Sequence, residues 1–287
     1  MTADQDLRAA IDAAARCIES ADALIILAGA GIGVDSGLPD YRGDEGLWRA
    51  YPRLKHLGLS FEDMASPKWF DQDPKLAWAF YGHRQQLYRE TVPHRGYTLL
   101  KGWGEAMPQG HFTYTSNVDG HFQYAGFDGQ RLVECHGNIH RHQCCEPCHD
   151  QVWQENPRDL DIDLETLQAH GELPRCPECN GIARPNVMLF FDWDWIRDIA
   201  IEQLDRYNAW VAKLRAREAR VAILEIGAGT SLLAIRRESE LQRSQLNARL
   251  IRINPHEAEG SGGLISIPLR ALEALERIAA ARITTFP

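Results

Sequence analysis

Charge-poor apolar runs recur along this chain, and most of them end in glycine or in a short polar turn. Ala23–Ala28 (Ala-Leu-Ile-Ile-Leu-Ala) and Val221–Ile226 are the clearest. A run of that length bounded by turn residues predicts a strand buried on both faces of a parallel sheet. His111–Thr115, Arg131–Cys135, Asn186–Phe191, Arg249–Ile253 and Leu264–Pro268 read as further strands. Between them the period changes: Leu7, Ala10, Ile11, Ala14 and Ile18 fall at helical spacing and predict an amphipathic helix over Asp6–Ser20. Pro74–Glu90, Asp194 to about Arg220, and Arg270–Ala281 also read as helices. Strands alternating with helices predict an α/β fold, a Rossmann-type doubly wound parallel sheet. The stretch Leu38–His56, beside the first glycine turn, reads as a long mobile loop placed to act as a lid.

In such a sheet, ligands bind outside the carboxyl ends of the strands. Gly29, Gly31 and Gly33 follow the first strand, where absent side chains let backbone N–H groups approach a phosphate. Ser116, Asn117 and Asp119 follow the second strand and His136 the third. A second glycine-rich turn, Gly227-Ala228-Gly229-Thr230-Ser231, follows Val221–Ile226, and Asn254 follows Ile253. Asn117, Asp119 and His136 should therefore converge on whatever the first glycine turn holds, a nucleotide being the candidate.

The seven cysteines change the picture, because five of them lie in the 36 positions from 144 to 179. Cys144-Cys145-Glu146-Pro147-Cys148 and Cys176-Pro177-Glu178-Cys179 have the close spacing of the two halves of a tetrahedral zinc site. Four thiolates leave no open coordination position, so this zinc would be structural. Spacing alone leaves Cys144 and Cys145 as alternatives for the first ligand. The intervening residues, acidic around Asp159–Glu165, read as an inserted loop. A chain of 287 residues with 44% hydrophobic content can bury a large core. Its formal charge of −9 argues against a nucleic-acid partner held through phosphates. With no signal-like segment at the start and no apolar stretch of membrane-spanning length, a cytoplasmic protein without a membrane partner is expected. Oligomeric state is not legible.

Gly29-Ala30-Gly31-Ile32, Ser36-Gly37-Leu38-Pro39-Asp40-Tyr41-Arg42-Gly43, Asn117-Val118-Asp119, His136-Gly137, the paired cysteines, Gly229-Thr230-Ser231 and Ile253-Asn254 stand in the order found in sirtuins. The chain resembles that family over nearly its whole length. The resemblance implies an NAD-dependent protein lysine deacylase acting on acyl-lysine proteins and yielding nicotinamide, free lysine and O-acyl-ADP-ribose. It implies a Rossmann-type NAD-binding domain made of residues 1–137 and 186–287, with a cofactor loop and helical insertion at 38–95, and a zinc lobe at 138–185. NAD would be held by Ala28, Gly29, Ala30 and Gly31, and by Asp40, Tyr41 and Arg42 of the cofactor loop. Ser116, Asn117 and Asp119 would surround the nicotinamide end, and Gly229, Thr230, Ser231 and Asn254 the adenosine half. His136 would be the general base, a role suited to imidazole near neutral pH, with Asn117 beside it in catalysis. Family register selects Cys144, with Cys148, Cys176 and Cys179, as the zinc ligands. Val187 would edge the cleft in which the substrate peptide pairs as an extra strand.

Several positions depart from the family pattern. Gly33 stands for the usual serine, Tyr41 for phenylalanine and Ser116 for glutamine, and the second glycine turn is two residues longer. Phe190-Phe191-Asp192 replaces Phe-Gly-Glu, so a side chain stands where the substrate backbone would pass. A sirtuin-like ADP-ribosyltransferase or NAD hydrolase is the alternative activity. Tyr81 and Arg84 resemble the Tyr-x-x-Arg of sirtuins that remove acidic acyl groups. Three residues apart, they share a helix face, and the guanidinium would pair with a distal carboxylate. Succinyl- and malonyl-lysine are thus candidate substrates beside acetyl-lysine.

Overall fold

The computed structural model describes residues 3–39, 43–154, 160–260 and 262–284. Its strands are β1 (Ala23–Ala28), β2 (His111–Thr115), β3 (Leu132–Glu134), β4 (Gly137–Cys144) and β5 (Trp153–Gln154). They continue with β6 (Asp161–Asp163), β7 (Gln168–His170), β8 (Ala183–Val187), β9 (Val221–Ile226), β10 (Arg249–Ile253) and β11 (Ile265–Ile267). Six of them form one parallel sheet in the order β11-β10-β9-β1-β2-β3. The chain builds outward from β1 in one direction and then, from β9, in the other. The switch point, where a doubly wound sheet opens its ligand crevice, therefore lies between β1 and β9.

The apolar runs of β1 and β9 follow from that position. All six residues of each strand are buried, because helices cover both faces. Leu24, Ile26, Leu224 and Ile226 pack toward the helices Ala3–Glu19, Arg95–Glu105 and Ala271–Thr284. Ile25, Leu27 and Ile223 pack toward Asp198–Ala216 and Ala234–Leu246. The polar exception in β9 is Glu225, fully buried and ion-paired across the sheet to Arg252 of β10 at 2.6 Å.

A second core lies beside the sheet. Helix Pro74–Glu90 starts at Asp73, whose side chain accepts the Leu76 N–H (3.0 Å), with Pro74 at its first position. Trp78, Phe80 and Tyr81 of this helix pack with Ile139 of β4 and with Leu167 and Ala169 around β7. Trp78 Nε1 donates to the Ala183 carbonyl (2.9 Å) and Gln85 Nε2 to the Ile139 carbonyl (2.6 Å). The helical insertion and the cysteine-bearing strands thus share one hydrophobic cluster. β4 joins β8 and β5 in an antiparallel sheet, and β6 and β7 form a hairpin.

Three expectations are corrected. Leu38–His56 is not a loop throughout: Gly43–Ala50 and Pro52–His56 are helices, held by buried Leu47 and Leu54 and by the Trp48 Nε1 bond to the Leu59 carbonyl (2.8 Å). The strand expected at Asn186–Phe191 runs instead over Ala183–Val187, because β4, its partner, begins opposite Val187 at Gly137. The helix expected from Asp194 to about Arg220 spans Asp198–Ala216.

Candidate active site

The two glycine turns meet backbone to backbone at the switch point. The Gly29 N–H donates to the Ile226 carbonyl (2.9 Å) and the Gly31 N–H to the Gly227 carbonyl (3.0 Å). A Cβ on Gly29 would lie 2.7 Å from the Gly227 oxygen, and one on Gly31 2.7 Å from the Gly227 Cα. Gly227 itself holds φ +63°. These glycines are required first by close approach of the two turns, and their amides are spent on each other. Ala30, exposed at the start of the 3-10 helix Ala30–Ser36, is the turn residue that faces outward.

Neighbouring strand ends are stitched to this junction. The Ser116 N–H and the Thr115 hydroxyl both donate to the Ala28 carbonyl (3.2 and 2.9 Å). Asn117 is buried, and its Nδ2 donates to the Gly29 carbonyl (3.2 Å). Across the junction, Asn254 Nδ2 donates to the Ala228 carbonyl (2.9 Å) while its Oδ1 accepts the N–H groups of His256 and Glu257. The Thr230 N–H and hydroxyl both donate to Glu257 (3.1 and 2.7 Å). Gly229 is half-buried and Ser231 exposed on this second turn. Glu257 is a site residue that sequence reasoning missed; nothing local ties it to a turn 27 positions earlier.

Asp119 and His136 complete the group. Asp119 is buried and accepts the His121 N–H (2.9 Å); burial raises its pKa above the ordinary carboxylate value. Behind it lie the Tyr97 hydroxyl and both ring nitrogens of His121, buried polar atoms without a hydrogen-bond partner among the described residues. His136 follows β3 and is half-buried; burial lowers its pKa, and a hydrogen bond to the Ser116 backbone pulls the other way. The His136 carbonyl accepts the Met188 N–H (2.9 Å), and Val187 pairs with Gly137, so the end of β8 runs directly beside the His136 backbone. Asn117, Asp119 and His136 thus stand at the adjoining ends of β2 and β3. Asp40, Tyr41 and Arg42 lie outside the described residues.

Tyr81 and Arg84 are both buried on the helix Pro74–Glu90. Among the described residues the Tyr81 hydroxyl has no hydrogen-bond partner, and burial raises its pKa to about 12. Arg84 donates from Nε and Nη2 to the Tyr88 hydroxyl (3.1 and 2.9 Å) and lies against the Tyr81 ring.

At the cysteine cluster, the Sγ atoms of Cys144, Cys148, Cys176 and Cys179 all lie within 4.8 Å of one another. Cys144–Cys179 and Cys148–Cys176 are each 3.6 Å apart. A tetrahedral zinc with Zn–S bonds of about 2.3 Å requires S···S edges of about 3.8 Å, so the donor set fits zinc. Cys145 stays outside this group and packs against the second core. His149 Nε2 approaches Cys176 Sγ at 3.3 Å.

A parallel doubly wound sheet with polar residues at its switch point and a small four-cysteine lobe defines a Rossmann-type nucleotide-binding protein. Residues 29–205 match the model of the Sir2 family, and the chain belongs to that family. An NAD-dependent protein deacylase of Aeropyrum pernix is 30% identical over 273 residues, which cover 93% of this chain and 95% of that protein. An NAD-dependent protein deacylase of Aquifex aeolicus is 30% identical over 234 residues, covering 82% and 84%. Among solved structures, one described as the structural basis for the mechanism and regulation of Sir2 enzymes superposes with a TM-score of 0.65 at 23% identity, over 96% of this chain and 98% of that one. Another, a Sir2 protein bound to a propionylated peptide, has a TM-score of 0.64 at 20% identity, over 92% and 95%. These likenesses establish the fold. Among the described residues, no helix is long and apolar enough to cross a membrane.

Proposed function

We propose that the protein is an NAD-dependent protein lysine deacylase acting on acyl-lysine proteins in the reducing cytoplasm. One observation carries the reading: in a Sir2-family chain, Asn117 is tied to the Gly29 carbonyl while Asp119 and His136 stand at adjoining strand ends. When bound, NAD would supply the ribose carbon that the acyl oxygen attacks, nicotinamide as the group that leaves it, and the ribose hydroxyl on which the acyl group ends as an ester. Ala28 to Gly31 would line its phosphates and ribose, Ser116, Asn117 and Asp119 its nicotinamide side, and Gly229, Thr230, Ser231 and Asn254 its adenosine side. Asp40, Tyr41 and Arg42 would belong to its binding loop. Asn117 orients the ribose, and Asp119, buried, meets the amide. His136 accepts a proton at a ring nitrogen, and burial, which lowers its pKa, favours the neutral ring that a base requires. Zinc on the four cysteines would fix the lobe whose strand β4 pairs with β8 and so places Val187.

Arg84 and Tyr81 make an acidic acyl group a further substrate. A buried guanidinium beside an unbonded phenol suits the distal carboxylate of succinyl- or malonyl-lysine. The protein should convert NAD and acyl-lysine peptides to O-acyl-ADP-ribose, detected by mass spectrometry, and His136→Ala should lose at least a hundredfold in rate. Arg84→Met should lose succinyl-lysine turnover far more than acetyl-lysine turnover; equal loss on both removes the acidic-acyl assignment. ADP-ribose formed without peptide, in place of the acyl ester, overturns the deacylase reading.

A further inference from the structure

Just past Val187 the backbone enters a conformation that side chains rarely adopt. Phe191 holds φ +58°, the left-handed region that favours glycine. Its neighbour is the cause. Arg184, 1% exposed, grips Asp192 through both carboxylate oxygens (2.7 and 2.8 Å), and Asp192 also accepts the N–H groups of Asp194 (3.2 Å) and Leu189 (3.4 Å). The chain is wound around this one carboxylate, and the residues flanking it are thrown outward. Phe191 is 76% exposed and Trp193 94%. Asp194 is exposed beside them with no ion-pair partner among the described residues. Further along, exposed Arg197 and Asp198 contribute one charge of each sign.

Two large aromatic faces in water, one on a disfavoured backbone, call for an occupant. The turn starts at the site, where the Met188 N–H meets the His136 carbonyl. Extended chain advances at most about 3.6 Å per residue, so Phe191 and Trp193 lie within roughly 11 and 18 Å of that contact. A substrate spans such distances with the few residues flanking its acyl-lysine. Aromatic faces beside a carboxylate, on a chain of net charge −9, attract cations.

We infer that the turn Phe191–Asp194 is a specificity rim that selects acyl-lysine substrates carrying an arginine or lysine within a few residues of the modified side chain. This rests on the deacylase reading above. The flanking cation lies over Trp193 or Phe191 with Asp194 at its edge. Each exposed aromatic contact is worth roughly a two- to fivefold gain in affinity, and the rim together on the order of tenfold.

The test uses one acyl-lysine peptide with arginine, glutamine, leucine or glutamate at the flanking positions, measuring kcat and KM separately and binding by fluorescence anisotropy without NAD. The arginine peptide should have the lowest KM, by about tenfold over glutamine, with kcat alike for both. Trp193→Ala should shrink that ratio towards one, Trp193→Phe should keep most of it, and Asp194→Asn should lower it in part. Equal KM values for all four peptides, a preference for leucine or glutamate, or a ratio that survives Trp193→Ala would each overturn the inference while leaving deacylation intact. If no peptide is deacylated the deacylase reading fails by itself, and the anisotropy still decides the rim: arginine-selective binding lost in Trp193→Ala upholds it, and unselective binding overturns it.

Discussion

A methyl group at position 31 would land 2.7 Å from the Gly227 Cα and 2.9 Å from its carbonyl oxygen, with backbone on both sides of the contact and nowhere to move. At position 33, in the same turn, the nearest atom is the Cδ1 of Leu38 at 3.2 Å, the end of a flexible side chain. These two glycines look alike in sequence and are physically unlike. Gly31→Ala should push the turns after β1 and β9 apart, cost about 1–3 kcal/mol and lower the melting temperature by several degrees. It should also weaken NAD binding, because Asn117 is anchored to the Gly29 carbonyl within that junction. Gly33→Ala should change either by little, since Leu38 can yield a few tenths of an ångström. Calorimetric melts and NAD titrations of the two variants decide it; equal effects would mean that the junction does not set the cofactor site. The same distinction shows what the sequence made legible. Glycines after a buried strand announced a turn at a ligand crevice, but not that Gly29 and Gly31 are held by a second turn almost 200 positions away.

Elements were legible in proportion to how local their causes are. β1, β2, β9 and β10 and the helix Pro74–Glu90 have the bounds read from the sequence, because apolar runs and the Asp73-Pro74 start signal belong to the segment itself. The run Val187–Phe191 is equally apolar yet leaves the sheet, because Arg184 binds Asp192 and the partner strand begins only at Gly137. Neither cause lies within the run. The zinc pairs were legible from spacing, whereas their placement against the helix Pro74–Glu90 was not. That placement yields a prediction for the lobe. Two thiolate pairs from opposite ends of a long insertion are brought within 4.8 Å, and without a cation nothing offsets their mutual repulsion once ionised. Removing zinc with a chelator, or Cys176→Ser, should expose the amides of β6 and β7 to hydrogen exchange while those of β1 and β9 stay protected. Uniform loss of protection across both sheets would show that the lobe and the main sheet unfold as one unit.

Acid acts on the whole molecule at once, since its buried histidines are spread through every layer. His83 lies on the helix of the second core, His94 beneath the first turn, His111 at the start of β2 and His136 at the site, and burial lowers the pKa of each. The structure shows why His94 stays neutral: its Nδ1 accepts the Gly96 N–H (3.0 Å), so Nε2 carries the proton and donates to the Ile32 carbonyl (2.8 Å). Histidines of the unfolded chain titrate near 6.5. As pH falls through that value, the unfolded chain binds protons that the native rings still refuse, and stability declines until the native pKa values are reached. Asp119 opposes this, because its raised native pKa lets the folded state take up a proton first, but it is one group against four. The protein should therefore melt at a lower temperature at pH 5.5 than at pH 7.5. His111 offers the cleanest check: its Nε2 is buried without a partner, and its ring meets Phe127 edge-on at 5.4 Å. His111→Phe should narrow the difference between the two melting temperatures by removing one of the four protonation sites. A melting temperature that is flat or rising toward pH 5.5 in the parent protein would show that the carboxylates, not the imidazoles, govern its acid stability.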